Sequence, residues 1–547
     1  MADMTFDAVV IGGGQKTLVT AIYLAKYGGM KVGVFEERHE LGGGWGTHEA
    51  AAPGFAGNSH ASTLEDWFFL PLQRDFPDIE EKGVKLLNLK CGLGVILKED
   101  QSCLPFYHIP EDPTGEKQAA AVARFAGEKD AETWSKMYAV SKPNGSMWHA
   151  FMADLFNLPP PDGQPGYFER WFAEDMKRPG SLCNKRLLAL PANYAVKELW
   201  EHPGMQYLAL RRIKAAGMPT EASGGPSLFI LPFFLMYVSL LQGGTHSAAH
   251  ACARIFLENG GRFFTKSKVD KVLIENGVAK GIRLADGTEV AAKLVVSGTD
   301  PYQLCFDLIG PDYLDAGVMR KIANLERTLS CITWYTWALH EAPDYKAADY
   351  DQDINQTHWV ILGSRNVEDL ITEAYWRRLG KVPPNMEIVN FHHHTRADRT
   401  QAPDGKHVVG SEIHTVDATR FTEREWMDYK KRHAEETMRT WQEYMRNMSW
   451  DQVIGYDAIT PYDTANRQRN MAPYGNLTIV DKFPGQLPPF VPIQEWGDHR
   501  IRPIGNLYGT SSAWGIYDGA HTGQGYTCYK AIADDLELAK PWDGQPW

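Results

Sequence analysis

Three stretches of this 547-residue sequence predict an α/β protein: a Rossmann-type dinucleotide-binding domain, parallel sheet plus β-meander, with an inserted α+β substrate domain. An apolar run, Phe6–Ile11, ends in Gly12-Gly13-Gly14. Far downstream, two hairpin signals, Asn276-Gly277 and Asp286-Gly287, punctuate alternating apolar residues. Near the end, Asn506-Leu507-Tyr508 leads into Gly509-Thr510-Ser511-Ser512 and a second helix-forming stretch, so both ends of the chain carry nucleotide-fold signals.

Taken in order, Phe6–Ile11 reads as a strand, the glycines as a tight turn, and Leu18, Ala21, Ile22 and Ala25 as the buried stripe of a helix. Gly28-Gly29 ends that helix, and Lys31–Phe35 forms a second strand ending in Glu36. In a G-x-G-x-x-G turn the first glycine allows the bend, the second lets backbone approach a pyrophosphate, and the third lets helix and strand pack closely. Gly12 and Gly14 fit this pattern, Gln15 and Lys16 continue the phosphate-facing turn, and Thr17 takes the third place at some cost in close packing. Glu36 supplies a carboxylate for the hydroxyls of an adenosine ribose, with Glu37 as its neighbouring alternative. Further on, a helix from Thr245 closes at Gly260-Gly261, and a meander ends in Leu294-Val295-Val296. The chain therefore divides into dinucleotide-domain segments 1–100, 241–304 and 496–547 and substrate-domain segments 101–240 and 305–495, the latter rich in Trp, Pro and Tyr.

Net charge is -12, so no global positive field exists to hold nucleic acid. The seven cysteines are scattered, without a C-x-x-C pair, and read as reduced buried thiols. The N-terminus lacks a basic n-region and reaches its glycines early, which predicts a cytoplasmic protein. The longest apolar run, Leu228–Leu241, contains Pro232 and is shorter than the ~20 residues a membrane span needs. It reads as buried core, a substrate-tunnel wall, or a surface for peripheral membrane contact. His392-His393-His394 is not a metal site on this reading, because consecutive strand residues point to opposite faces. Glu423–Arg439 alternates in sign and reads as the solvated face of a helix.

Arg38-His39-Glu40-Leu41-Gly42-Gly43-Gly44-Trp45 places an arginine just before a second glycine cluster, which a lone NAD-binding domain does not need. Together with Gly54-Phe55, His60, Gly243-Gly244, Asp300-Pro301, Ala402-Pro403-Asp404-Gly405-Lys406-His407 and Thr460-Pro461-Tyr462-Asp463, this resembles the phytoene desaturase-like branch of the FAD-dependent amine oxidase-like superfamily. The resemblance spans nearly the whole chain and is thin in the substrate domain. It implies non-covalent FAD held by the first turn, Glu36, Glu37, Arg38, Gly43, Gly44, Trp45, Val269, Gly509, Thr510 and Ser511. It also implies a hydrophobic small-molecule substrate, such as a terpenoid, carotenoid or alicyclic compound, oxidised at a carbon-carbon bond, with an electron acceptor that no motif names. A redox-neutral isomerase or saturase, an amine oxidase, and a lipid or pigment carrier with structural FAD are the alternatives. Two segments depart from the family pattern: Gly57-Asn58-Ser59, without the usual Asp before His60, and Ala513–His521, in place of a Pro-Gly-Gly-rich loop. His60, Tyr517, Asp518 and His521 are the polar, titratable catalytic candidates there, with capping of the following helix as the alternative role for the loop residues.

Overall fold

The computed structural model describes residues 3–160, 164–221, 224–384, 388–391, 395–482, 485–486, 491–514 and 521–547. Met4–Ile11 becomes fully buried from Ala8 onward because parallel strands flank it: Val32–Phe35 on one side and Glu289–Ser297 on the other. Arg262–Phe264 extends the sheet beyond Val32–Phe35. The meander Val269–Glu275, Val278–Leu284 and Glu289–Ser297 runs antiparallel at the other edge. Its first turn has Asn276 and Gly277 both at positive φ (51° and 76°), the conformation that matches the twist of a two-residue hairpin. Leu507–Gly509 joins in parallel beside Val295–Ser297, so segments from the start, middle and end of the chain build one sheet of seven strands.

On one face of this sheet the helix Gln15–Lys26 lies between His246–Glu258 and the C-terminal helix Gly523–Leu536. Gly525 permits the second contact, since a Cβ there would stand 2.2 Å from the Lys16 carbonyl oxygen and 2.7 Å from Val19 Cβ. Thr17 is accommodated by a different glycine. A Cβ on Gly298 would lie 2.4 Å from the Thr17 methyl, so the room expected from a glycine at position 17 is supplied across the interface. The Thr17 hydroxyl donates back to the Gly12 and Gly14 carbonyls at 2.7 and 2.8 Å, which tightens the turn.

The second sheet also has seven strands, in the order Val453–Ile459, Ile332–Leu339, His407–His414, Ile388–Phe391, Thr357–Gly363, Cys91–Leu97 and Cys103–Tyr107. Cys91–Leu97 pairs in parallel with Thr357–Gly363, so the chain has entered the second domain before residue 100, and the crossing falls ahead of Cys91. Two-residue alternation gives this sheet its two faces. Tyr335, Trp337, Val360, Leu362 and Ile413 pack with Ala434, Met438 and Trp441 of the helix Glu423–Tyr444. That helix opens with a capping box, Thr422 and Glu425, and its charged face is only half of it. The opposite sheet face, with Ile332, Trp334, Trp359 and Ile361, joins the main core of the molecule.

The apolar run after Leu228 is buried but not one helix: a 3-10 turn Gly225–Ile230, a helix Leu231–Met236 and a strand Ser239–Leu241 succeed one another. No described helix is long and apolar enough to cross a membrane. All seven cysteines are buried and free. Burial pushes the thiols of Cys103, Cys252 and Cys528 up to about 12, which suppresses thiolate chemistry. Gly525→Ala should separate the first and last helices, destabilise the protein by about 1–3 kcal/mol, and weaken cofactor retention. Unchanged melting and retention would show that the two helices can part without cost.

Candidate cofactor site and substrate chamber

Glu36 ends its strand facing the glycine turn, and its carboxylate accepts the Gly13 N–H at 2.6 Å and the Arg38 N–H at 2.8 Å. It borders a cavity of about 120 Å³ whose walls include Gly12, Glu37, Arg38, Gly43 and Val269. Arg38 itself pairs with Glu40 at the rim. An adenosine fits this composition: a ribose-accepting carboxylate, a flanking valine and a glycine turn.

The second glycine cluster lies directly on the first. Gly42 N–H donates to the Gly13 carbonyl at 2.8 Å, and Gly14 and Gly42 form a parallel bridge. Gly43 (φ +58°) comes so close that a Cβ would lie 3.2 Å from Gly14 Cα. The helix that follows begins with Gly14 as N-cap and carries neither a side-chain cap nor an acidic residue in its first turn. Its first N–H groups and dipole therefore favour an anion such as a pyrophosphate.

Gly14, Gly43, Gly298, Gln468 and Asn470 border both this cavity and a larger one of about 270 Å³, so the two are neighbours along one groove. The larger chamber is walled by Gln15, Lys16, Thr17 and Gly44 from the first motifs and by Thr510 and Ser511 from the last. Its remaining walls come largely from the inserted domain: Phe234, Ile332, Trp359, Leu477 and Ile479 give apolar surface, with Arg212, Glu412 and Lys482 among them. Ser59 N–H donates to the Gly46 carbonyl and Ala61 N–H to the Gly44 carbonyl, at 3.0 and 3.4 Å, which brings His60 to the chamber wall. Asn58 anchors the same bend, accepting from Thr47 Oγ1 at 2.7 Å and from Thr245 N–H at 3.2 Å.

Desolvation dominates the titration of the groups here. It holds His60 at about 3, helped by the positive charges of Arg467 and Arg38. It raises Glu65, another wall residue, to about 7 against the opposing pull of Arg212. Arg212 falls to about 9 for the same reason, with Glu65 acting against the shift. Each group is moved toward its neutral form, which is the effect of a chamber that excludes water.

Other expected residues are placed elsewhere. Trp45 is fully buried against Phe69 in the core and lines neither cavity. Gly509 is a packing glycine, since a Cβ there would meet the Trp514 ring at 2.7 Å. His521 faces a small separate cavity of about 30 Å³, and its Nδ1 accepts the Gly523 N–H at 3.0 Å at the start of the C-terminal helix. Its carbonyl accepts from Lys16 Nζ at 2.8 Å, tying the first helix to the closing segment. Tyr517, Asp518 and the histidines 392–394 lie outside the described residues. Among the described residues, no group of three or more His, Cys, Asp or Glu could hold a metal ion.

Sequence reasoning missed Glu65, Arg212, Trp359, Glu412 and the segment Gln468–Asn470. The last had a signal in Asp300-Pro301, whose partner Asn470 only the structure shows. Asn470 Oδ1 accepts the Asp300 N–H at 3.0 Å, its amide donates to the Gly298 carbonyl at 2.8 Å, and Gln468 Nε2 donates to the Gly43 carbonyl at 3.2 Å. Arg212 lies in a stretch with no local pattern to mark it.

Residues 10–71 match the family model of the NAD(P)-binding Rossmann-like domain. Over 95% of this chain and 91% of the relative, the sequence is 27% identical to pyridine nucleotide-disulfide oxidoreductase domain-containing protein 2 of Rattus norvegicus. It is 25% identical to a limonene dehydrogenase subunit of Castellaniella defragrans, over 83% of this chain and 81% of that one. Hydroxyneurosporene desaturase of Cereibacter sphaeroides is 26% identical over 61% of this chain and 64% of its own length. These similarities support a place for the chain in the carotenoid-desaturase-like branch of the FAD-dependent oxidoreductases. Putrescine oxidase shares its fold, with a TM-score of 0.59 at 11% identity over 98% of this chain and 99% of that one. This desaturase-like chain is thus an oxidoreductase built around a flavin or nucleotide cofactor.

A histidine held at about 3 takes up no proton in the folded state near neutrality, whereas the unfolded chain binds one below its ordinary 6.5. His60 therefore costs stability as the pH falls below 6.5, and nothing above it. In urea unfolding, His60→Gln should gain on the wild type between about pH 7.5 and pH 5. An equal difference at both values would mean that His60 protonates freely in the fold.

Proposed function

We propose that this chain binds FAD non-covalently and dehydrogenates a carbon-carbon bond in a hydrophobic substrate. The observation that carries the reading is the adjacency of the two cavities: a glycine-walled site with an adenosine carboxylate adjoins a chamber whose other walls are mostly apolar. The named activities of two relatives, the limonene dehydrogenase subunit and hydroxyneurosporene desaturase, point to the same substrate class, a terpenoid or carotenoid-like molecule. Oxidation of an amine is less well served, because Arg212 and Lys482 offset Glu65 and Glu412 on the chamber wall and leave no excess of negative charge for a cation.

When bound, FAD supplies the acceptor for a hydride taken from the substrate. The chain's own part is to hold the adenosine through Glu36, to meet the pyrophosphate with the N–H groups that open the first helix, and to exclude water from the reacting bond. Loss of a hydride from one carbon leaves a proton to be removed from the next. For that proton His60 presents an unprotonated ring nitrogen on the chamber wall, one that burial makes weakly basic by holding it at about 3.

The purified protein should be yellow and release unmodified FAD on denaturation. Glu36→Ala should weaken FAD binding about tenfold or more, because charge-assisted hydrogen bonds to the ribose are lost. Anaerobic mixing with cyclic terpenes and alicyclic ketones should bleach the oxidised flavin band, and His60→Gln should slow bleaching without releasing FAD. If product forms only after the flavin has first been reduced, with no net bleaching, the protein is a redox-neutral isomerase and the dehydrogenase reading falls.

A further inference from the structure

Arg212, on the helix Pro203–Ala215, is a charged group on the chamber wall that the reaction above does not use. The residue is 4% exposed, and its guanidinium carbon lies 4.0 Å from the Trp359 ring centroid and 4.9 Å from that of Phe234. Aromatic rings stabilise the cation through the face of the guanidinium plane and leave its in-plane N–H donors unused. Nε and Nη1 indeed make no hydrogen bond among the described residues. The neighbouring Arg211 is different: its Nη2 donates to Glu412 at 2.8 Å and occupies that carboxylate. Glu65 acts on Arg212 through its field, yet among the described residues no ion pair joins the two.

A buried cation with idle donors is costly unless a partner arrives to use them. The donor geometry of a guanidinium fits a planar, two-oxygen acceptor, and the surrounding rings fit an apolar body attached to it. We propose that Arg212 is a binding residue for a carboxylate carried by the substrate, so that the molecule taken is a lipophilic acid rather than a pure hydrocarbon. This rests on the reading of the chamber as the substrate site. Glu65 supports it: burial holds this carboxyl at about 7, and a second carboxylate arriving nearby favours its protonated form. Protonated, it becomes a donor to an incoming acid instead of a repelling charge.

The test uses the FAD-loaded protein with dodecanoate and methyl dodecanoate as probes, which share a chain and differ in charge, and isothermal titration calorimetry as the readout. The wild type should bind the acid roughly tenfold or more tightly than the ester, the loss expected when a charge-assisted hydrogen bond is removed. Arg212→Met should abolish that preference while leaving ester affinity within about threefold, and Arg212→Lys should keep part of it. Equal binding of acid and ester by the wild type, or binding of neither, overturns the proposal, and so does a preference that survives Arg212→Met. Should Arg212→Met fail to fold, the wild-type ratio and Arg212→Lys decide. A protein that discriminates acid from ester but is never bleached by any candidate substrate would refute the proposed reaction and leave the carboxylate site standing.

Discussion

The approach of two glycine turns, backbone against backbone, is the constraint on which the rest of the structure depends. With Gly42 N–H on the Gly13 carbonyl and Gly43 against Gly14 Cα, a side chain at position 43 would part the two walls. From this contact the chain runs to Gly44 and Gly46, whose carbonyls fix the bend at Ser59–Ala61 and with it His60. On the other side, Gln468 reaches the Gly43 carbonyl and Asn470 the Gly298 carbonyl, so the inserted domain is fastened to the same point. Cofactor turn, chamber wall and second domain therefore share one origin, and a displacement there propagates to all three.

That shared origin explains how a water-excluding chamber coexists with several ionisable groups. The second sheet offers one face to the long helix behind it and the other to the core around the chamber, and its alternation decides which residues reach which. Trp359 and Glu412 fall on the chamber side, whereas Val360 and Ile413 fall on the helix side. Burial then acts on every titratable group by the same physics, lowering His60 and Arg212 and raising Glu65. The outcome is a neutral base, a carboxyl that exchanges its proton near neutrality, and a weakly solvated cation within one cavity.

The dinucleotide end was legible in the sequence because its constraints are local. A strand that stops at a glycine turn, a carboxylate at the end of the next strand, and Asn-Gly between alternating residues each write a backbone requirement into a few adjacent letters. Thr17 shows the limit: its tolerance depends on Gly298, far away in sequence, and no local reading supplies that partner. The crossing ahead of Cys91 carries no local mark for the same reason, since a strand does not reveal which sheet it will join. Trp45 and Gly509 sit inside the right motifs yet serve packing, because a motif names a segment and not the direction of each side chain. The chamber was least legible, being assembled from a helix at 203–215 and strands near 332, 359 and 412 that share no spacing.

The distribution of charge between the two ends follows from this assembly. Groups that border the cofactor site include the backbone amides of the turn and the Glu36 carboxylate that the turn itself holds in place. Many groups of the chamber wall, Arg212, Trp359 and Glu412 among them, are side chains of the inserted domain, joined there by His60 and Glu65 from the first segment of the chain. Arg212 illustrates the division. Its charge is supported by Trp359 and Phe234, both from outside the dinucleotide domain, and its field meets Glu65 rather than the phosphate turn. A chamber built this way can alter the polarity of the molecule it accepts without altering how the cofactor is held, because the two tasks fall on different parts of the chain and meet only at the wall they share.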